Sequence, residues 1–477
     1  MARVNEKTRL LPAVHATLKI KRCLVILGIV TAVVLSVWWL LLDAPTADEF
    51  VCGDTKNEAG YVKLVNKEDD HYFYWFFESR SSPATDPLVL WLTGGPGGSG
   101  LFALLAENGP CSIEPDLSTK LNPYAWNRNA NVIWLDQPTG TGFSFGSPVD
   151  TDYNETNVGE NIYWFMQGFI QKHPEYQGRE FFVTGESYGG HYVPAAAHCI
   201  WQMNKASGEL PVINLQGLAI GNSLTNAAIQ YAHYQDMNDN RYNVTLLTAA
   251  QVEQMKVDSG ECIALTRECQ TPPHNESLCV LGLDCWAEKL VLPLSKANRN
   301  NYDIREACNN SDPDATCGDF PLLAEYLNAP AVRKYLNVDE RAPAWVAENE
   351  AIHARFIADG DWAAAYDTYV AKLLDNDIRV LIYAGDADLM CNWVGNRAWT
   401  LALDWEGKNG YNAAEERTFV AHDPLLPDGG SDIDAGVVRS FENLAFVRVY
   451  DAGHMVPANQ PAVSLDLIHR FVANEAL

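Results

Sequence analysis

Thr184-Gly185-Glu186-Ser187-Tyr188-Gly189-Gly190 is the stretch on which the reading of this chain turns. Glu180-Phe181-Phe182-Val183 precedes it and is short, apolar and β-prone. His191-Tyr192-Val193-Pro194-Ala195-Ala196-Ala197 follows it and can carry a helix. A Gly-x-Ser-x-Gly set between a strand and a helix forms a nucleophile elbow. The turn is so tight that side chains at the flanking positions would collide with strand or helix, and the serine backbone is strained. The Ser187 hydroxyl is thereby held clear of the sheet, where a base can reach it. Alone the pattern is weak, because glycine-rich turns after strands are common.

Such an elbow requires an acid and then a histidine later in the chain. Arg379-Val380-Leu381-Ile382-Tyr383-Ala384-Gly385-Asp386-Ala387-Asp388 reads as a buried strand ending in two acids. Ala445-Phe446-Val447-Arg448-Val449-Tyr450-Asp451-Ala452-Gly453-His454 reads as another, ending in a histidine. Ligands of open α/β sheets sit beyond the carboxyl ends of the strands, where all three candidates fall. Further short apolar runs lie at Pro87–Leu92, Asn131–Leu135 and Leu215–Ile220. Runs of this kind fit strands covered on both faces. Val158–His173 has the spacing of a crossover helix, and Pro461–Ala473 that of a closing one. Alternation of this kind predicts a mixed, mostly parallel central sheet with helices on both faces. Residues 225–375 break the rhythm and read as an insertion over the carboxyl edge of the sheet.

These segments together resemble the serine carboxypeptidase family. The carriers are Leu90-Trp91-Leu92-Thr93-Gly94-Gly95-Pro96-Gly97, Leu135-Asp136-Gln137-Pro138, Gly185-Glu186-Ser187-Tyr188-Gly189-Gly190-His191-Tyr192-Val193-Pro194, Ile220-Gly221-Asn222, Tyr383-Ala384-Gly385-Asp386-Ala387-Asp388 and Gly453-His454-Met455-Val456-Pro457. The resemblance covers roughly residues 50 to 475. It implies an α/β-hydrolase fold over residues 43–477, with a lid in the insertion at about 225–375.

In that reading Ser187 is the nucleophile and His454 takes its proton, then delivers it to the leaving amine. Asp388 orients and stabilises the imidazole. Asp386 competes with Asp388, since residues two apart on a strand face the same side; the resemblance favours Asp388. The oxyanion needs two backbone donors. One is the amide of Tyr188, after the nucleophile; the resemblance makes the Gly95 amide the other. It also implies that Thr93, Gly94, Glu107 and Glu186 hold the C-terminal carboxylate of a substrate, with Cys391 and Met455 nearby. Two ionised glutamates would repel a carboxylate. A shared proton turns repulsion into hydrogen bonds and predicts binding favoured at acid pH. Thr93 stands where the family has asparagine, so a hydroxyl replaces an amide.

The 477 residues carry a net charge of −27, although the first 22 hold six Lys or Arg and one Glu. That acidity argues against a nucleic-acid partner. Cys23 to Leu42 contain no charge. As a helix, twenty residues span about 30 Å, one bilayer core. Lys19, Lys21 and Arg22 flank its start, which puts residues 1–22 in the cytosol and the rest beyond the membrane. A single-pass type II protein results, unless the segment is cleaved and the protein secreted. Glu6-Lys7-Thr8-Arg9-Leu10-Leu11 resembles an acidic dileucine signal for endosomes, lysosomes or the vacuole.

Ten of the eleven cysteines follow the anchor. Their clustering reads as disulfides in an exported protein, with several pairings open. By resemblance the pairs are Cys262–Cys285, Cys269–Cys279 and Cys308–Cys317, and Cys391 is a free thiol. Cys52, Cys111 and Cys199 stay unassigned. The family often has a cysteine after Gly97, bridged to the lid; here Gly98 stands there, leaving the lid looser or tied otherwise. Asn154, Asn243, Asn275 and Asn309 lie in glycosylation sequons.

The expected function is removal of C-terminal residues from peptides and proteins, without metal or organic cofactor. Two other readings stay open: an acyltransferase using the same triad, and a protective partner of other lysosomal hydrolases. Residue preference, a homodimer and processing into two chains are left undecided by the sequence.

Overall fold

The structure, a computed structural model, describes residues 52–477 except Ser207, Glu209, His274, 309–319 and 427–431. The expected cytosolic tail, the anchor at 23–42 and the Asn309 sequon lie outside the described residues. Among these residues no helix is long and apolar enough to cross a membrane.

Ten strands form the main sheet: β1 (Asn57–Lys63), β2 (His71–Phe77), β3 (Leu88–Leu92), β6 (Asn131–Leu135), β7 (Phe181–Ser187), β8 (Leu215–Ser223), β11 (Arg379–Gly385), β12 (Arg417–Ala421), β13 (Ile433–Phe441) and β14 (Leu444–Val449). β4 (Cys111–Ile113) pairs with β5 (Thr119–Leu121), and β9 (Arg299–Asn300) with β10 (Asp303–Ala307), as two small hairpins. The order in the main sheet is β1-β2-β6-β3-β7-β8-β11-β14-β13-β12. Its middle, from β6 to β14, is parallel, and both flanks are antiparallel.

The continuous apolar runs are explained by two cores, one per face. Leu88, Leu90 and Leu92 enter one core with Val183, Ile220 and Ile382; Val89 and Trp91 enter the other with Phe182, Ala219 and Leu381. Successive strand residues point to opposite faces, so both must be apolar. Each such buried side chain stabilises the fold by about 1.5–3 kcal/mol. Helices Glu155–Lys172 and Gly189–Ala206 cover the first face, and helix Pro461–Val472 the second.

The segment between β8 and β11 is mostly helical, led by Ala249–Gln270 and Glu276–Trp286. Part of it enters the sheet cores: Leu323, Tyr326, Leu327 and Val332 join the second, Val370, Leu373 and Leu374 the first. Cys262–Cys285 and Cys269–Cys279 staple the two long helices together. Cys308 is disulfide-bonded, while Cys317 lies outside the described residues. Cys52 and Cys111, unassigned from sequence, form a third bridge that ties the start of the described chain to β4. Cys199 and Cys391 are free. Asn243 and Asn275 are exposed, as a glycan requires; Asn154 is half-buried and caps helix Glu155–Lys172.

Candidate active site

Ser187 ends β7 with φ +63°, in the left-handed region that side chains rarely adopt. Such strain persists only where the surroundings enforce it. Here they do. A Cβ on Gly185 would lie 2.5 Å from the Leu92 carbonyl oxygen and 2.8 Å from Val193 Cγ2. The helix starts at Gly189, so the hydroxyl stands at the carboxyl end of the sheet.

Asp388 follows the end of β11, and His454 follows β14. Asp388 Oδ2 accepts from His454 Nδ1 at 2.8 Å, and both residues are buried. The Asp388 carboxylate is held by the amides of Met390 (3.0 Å) and Cys391 (3.2 Å) and by Asn222 Nδ2 (2.8 Å). Burial pulls the His454 imidazole down, but the charge and hydrogen bond of Asp388, aided by the Glu107 charge, outweigh it, and its pKa is raised. Asp386 does not share this face, contrary to the strand argument. β11 stops at Gly385, and the chain turns. Asp386 bonds Tyr242, Arg448 Nη2 (3.1 Å) and the Asp451 amide (3.1 Å).

Asn222 has no role assigned by the sequence reading, although it ends a quoted signature. It sits at φ +36° and is fully buried. Its Oδ1 accepts from the Gly385 amide (3.1 Å) while its Nδ2 binds Asp388, so it joins β8 to the acid loop. The β9–β10 hairpin is a second unforeseen support. The Tyr302 carbonyl accepts from the His454 amide at 2.7 Å, and the Asn301 carbonyl from the Leu389 (3.1 Å) and Met390 (3.2 Å) amides. Ile304 donates to the Ala387 carbonyl at 2.9 Å. One hairpin thus holds the acid and histidine loops in one register.

Gly94 touches the elbow. A Cβ there would meet the Tyr188 nitrogen at 2.5 Å, so only glycine lets the two segments meet. Neither the Gly95 nor the Tyr188 amide finds a protein acceptor among the described residues. Tyr188 is fixed by its hydroxyl, which donates to Asp361 Oδ2 at 2.6 Å, and by stacking on His191 at 4.3 Å. Thr93 Oγ1 accepts from the Trp91 indole at 3.0 Å.

Glu107 caps the helix after the Gly-rich loop, and Glu186 precedes the nucleophile. Both are buried and hydrogen-bonded to each other. Burial pushes Glu107 up to about 7, against the charge of His454 and the hydrogen bond from Glu186. Burial, then the charge and hydrogen bond of Glu107, raise Glu186 well above the ordinary carboxyl value. Cys391 contacts the Ser187 hydroxyl; burial and the charges of Asp388 and Glu186 hold its thiol protonated. Met455 is half-buried beside His454. An aromatic wall of Tyr188, Trp362, Trp286 and Tyr231, with neighbouring centroids 5.4–5.7 Å apart, completes the surroundings. It draws on four distant segments, so sequence spacing could not reveal it.

A serine on a strained strand-to-helix turn, with an acid–histidine pair at neighbouring strand ends, defines a hydrolase of the α/β type. The chain belongs to the serine carboxypeptidase family, whose model matches residues 47–474. It is 38% identical over 424 residues to a serine carboxypeptidase-like protein of Oryza sativa, covering 88% of this chain and 93% of that one. To the carboxypeptidase Y of Komagataella phaffii it is 36% identical over 423 residues, covering 88% and 76%. The fold matches that of Kex1, a prohormone-processing carboxypeptidase from Saccharomyces cerevisiae, with TM-score 0.77 at 24% identity over 89% of this chain and 95% of that one.

Proposed function

We propose that this serine carboxypeptidase works through an acyl-enzyme on Ser187 and prefers acid conditions. The observation that carries the reading is the buried Glu107–Glu186 pair beside His454. A carboxyl pair that keeps its protons offers donors to a substrate carboxylate, which an ionised pair would repel.

The Ser187 oxygen attacks the carbonyl before the C-terminal residue as His454 takes the hydroxyl proton. The Gly95 and Tyr188 amides meet the oxyanion. The intermediate collapses, the C–N bond breaks, and His454 protonates the departing amine. Water, deprotonated by the same imidazole, then releases the acyl group and Ser187. Asp388 stabilises the imidazolium throughout. Thr93 and Gly94 complete the carboxylate cradle, Thr93 through a hydroxyl whose lone pair is engaged by Trp91.

The protein acts in an endosomal, lysosomal or vacuolar lumen, held by an anchor at 23–42. The uncharged run with its basic flank, the sequons and the disulfides support that reading. Release of single C-terminal amino acids from a peptide panel between pH 4 and 8 tests the activity. Internal cleavage, or acyl transfer without hydrolysis, would refute it. Protease treatment of sealed microsomes should spare the sequon-bearing region.

A further inference from the structure

Asp361 belongs to the insertion, 173 positions beyond Tyr188, and yet it holds the residue that follows the nucleophile. It is fully buried. Its Oδ2 accepts from the Tyr188 hydroxyl at 2.6 Å; its Oδ1 accepts from the Tyr366 hydroxyl at 2.6 Å and the Glu155 amide at 3.3 Å. Hydrogen bonds to a buried carboxylate are short, strong and costly to leave unmade, so three of them fix one geometry. The anchor is itself braced. Ala365 pairs antiparallel with Asn226, and the Tyr366 amide donates to the Thr225 carbonyl at 2.9 Å. Gln270 Nε2 donates to the Ala363 carbonyl at 2.8 Å. Residues 361–366 are thus fastened to the exit of β8 and to helix Ala249–Gln270.

Tyr188 is gripped at both ends. Its ring stacks on His191 with 16° between the planes, and its hydroxyl is on Asp361. Its amide nitrogen lies so close to the Gly-rich loop that a Cβ on Gly94 would come within 2.5 Å. The preceding Ser187 sits at φ +63°. Strain of that kind relaxes unless the surroundings enforce it. A released Tyr188 side chain would free the peptide plane between the two residues to turn. The amide of the residue after the nucleophile is the donor that meets the oxyanion. What grips the ring therefore aims the donor.

We propose that Asp361 is a positioning residue for the oxyanion hole: through the Tyr188 phenol it fixes the direction of the Tyr188 amide. The inference rests on the acyl-enzyme reading and gives the insertion a part in it. Loss of one oxyanion donor costs about 10²–10³-fold in kcat, and a donor kept but misaimed should cost about tenfold.

The test uses the full chain, an N-blocked dipeptide and a matching ester. Asp361→Ala and Tyr188→Phe should each lower kcat about tenfold on both substrates, with KM little changed. The double variant should lose no more than either single one, since both remove the same bond. Asp361→Asn keeps an acceptor for the phenol and should recover most of the rate. An N-blocked amino aldehyde supplies a second readout. The Ser187 oxygen bonds its carbonyl carbon, the C=O electron pair moves to the oxygen as the oxyanion, and His454 takes the serine proton. The matching amino alcohol cannot form this adduct. Aldehyde inhibition should weaken about tenfold in each single variant, and alcohol inhibition should stay as in wild type. Unchanged kcat in Tyr188→Phe, additive losses in the double variant, or equal weakening of aldehyde and alcohol overturns the proposal. So does an Asp361→Ala protein whose Tm falls while its kcat holds. If Asp361→Ala does not fold, Tyr188→Phe and Asp361→Asn decide the matter. An enzyme that cleaves the ester but not the peptide overturns the carboxypeptidase reading alone, and Asp361 is then judged on the ester.

Discussion

Replacing Glu107 and Glu186 together by glutamine tests the carboxylate cradle most directly. Glu107 is raised from an ordinary 4.5 to about 7, first by burial. Each pKa unit is worth 1.36 kcal/mol, so the site favours the protonated carboxyl by about 3 kcal/mol. Below pH 7 both acids are neutral and donate to the substrate carboxylate. Above it Glu107 ionises, and KM for a peptide should rise by about tenfold per pH unit. Burial sets this window, against the opposing effects of His454 and the Glu186 hydrogen bond. An ester without a terminal carboxylate should follow His454, whose pKa is also raised, and gain activity as the imidazole loses its proton. In the double glutamine variant the peptide KM should become flat from pH 5 to 8, while the ester profile keeps its shape. Stability carries the same signature. An acid whose pKa is raised on folding loses its contribution as pH climbs from about 4.5 to about 7. The wild-type Tm should therefore fall over that range, and the variant's should fall less. Initial rates at six pH values and thermal melts in the same buffers would measure both. Identical KM profiles for wild type and variant would refute the reasoning.

Ser187→Ala should abolish hydrolysis of peptides and esters alike while the melting curve stays that of a folded protein; retained turnover would remove Ser187 from the mechanism. Asn222→Ala deletes a 2.8 Å bond to the Asp388 carboxylate. That costs roughly 2 kcal/mol, or about thirtyfold in kcat with little change in KM, measured by steady-state kinetics. Replacing Cys52 and Cys111 by serine opens a loop of sequence separation 59. Loop entropy predicts a loss of about 4 kcal/mol in denaturant unfolding, measured as a shift of the urea midpoint.

The sequence by itself determined the parallel middle of the sheet, the elbow and the chain order of serine, acid and histidine; the antiparallel flanks β1, β2, β12 and β13 came only with the structure. These are local signals. A strand covered on both faces must be apolar at every position, and a strained serine turn must be flanked by glycines, so both are written in consecutive residues. β6 matches its apolar run from Asn131 to Leu135, and β3 begins one residue inside its own. Only the tertiary structure decided what joins distant segments. Asn222 reaches Asp388 across 166 positions, and the Tyr302 carbonyl holds His454 from an insertion. Cys52 finds Cys111 because β4 lies against the start of the described chain, not because their spacing suggests it. Asp386 and Asp388 look alike as sequence, and the turn after Gly385 alone sends one to Arg448 and the other to His454. Gly98 announces a missing covalent tie, but that backbone pairing with residues 347–349 replaces it is a matter of which backbones meet. Short-range periodicity fixes which elements form. Side-chain partners separated by a hundred residues or more are fixed only by the packing that brings those elements together.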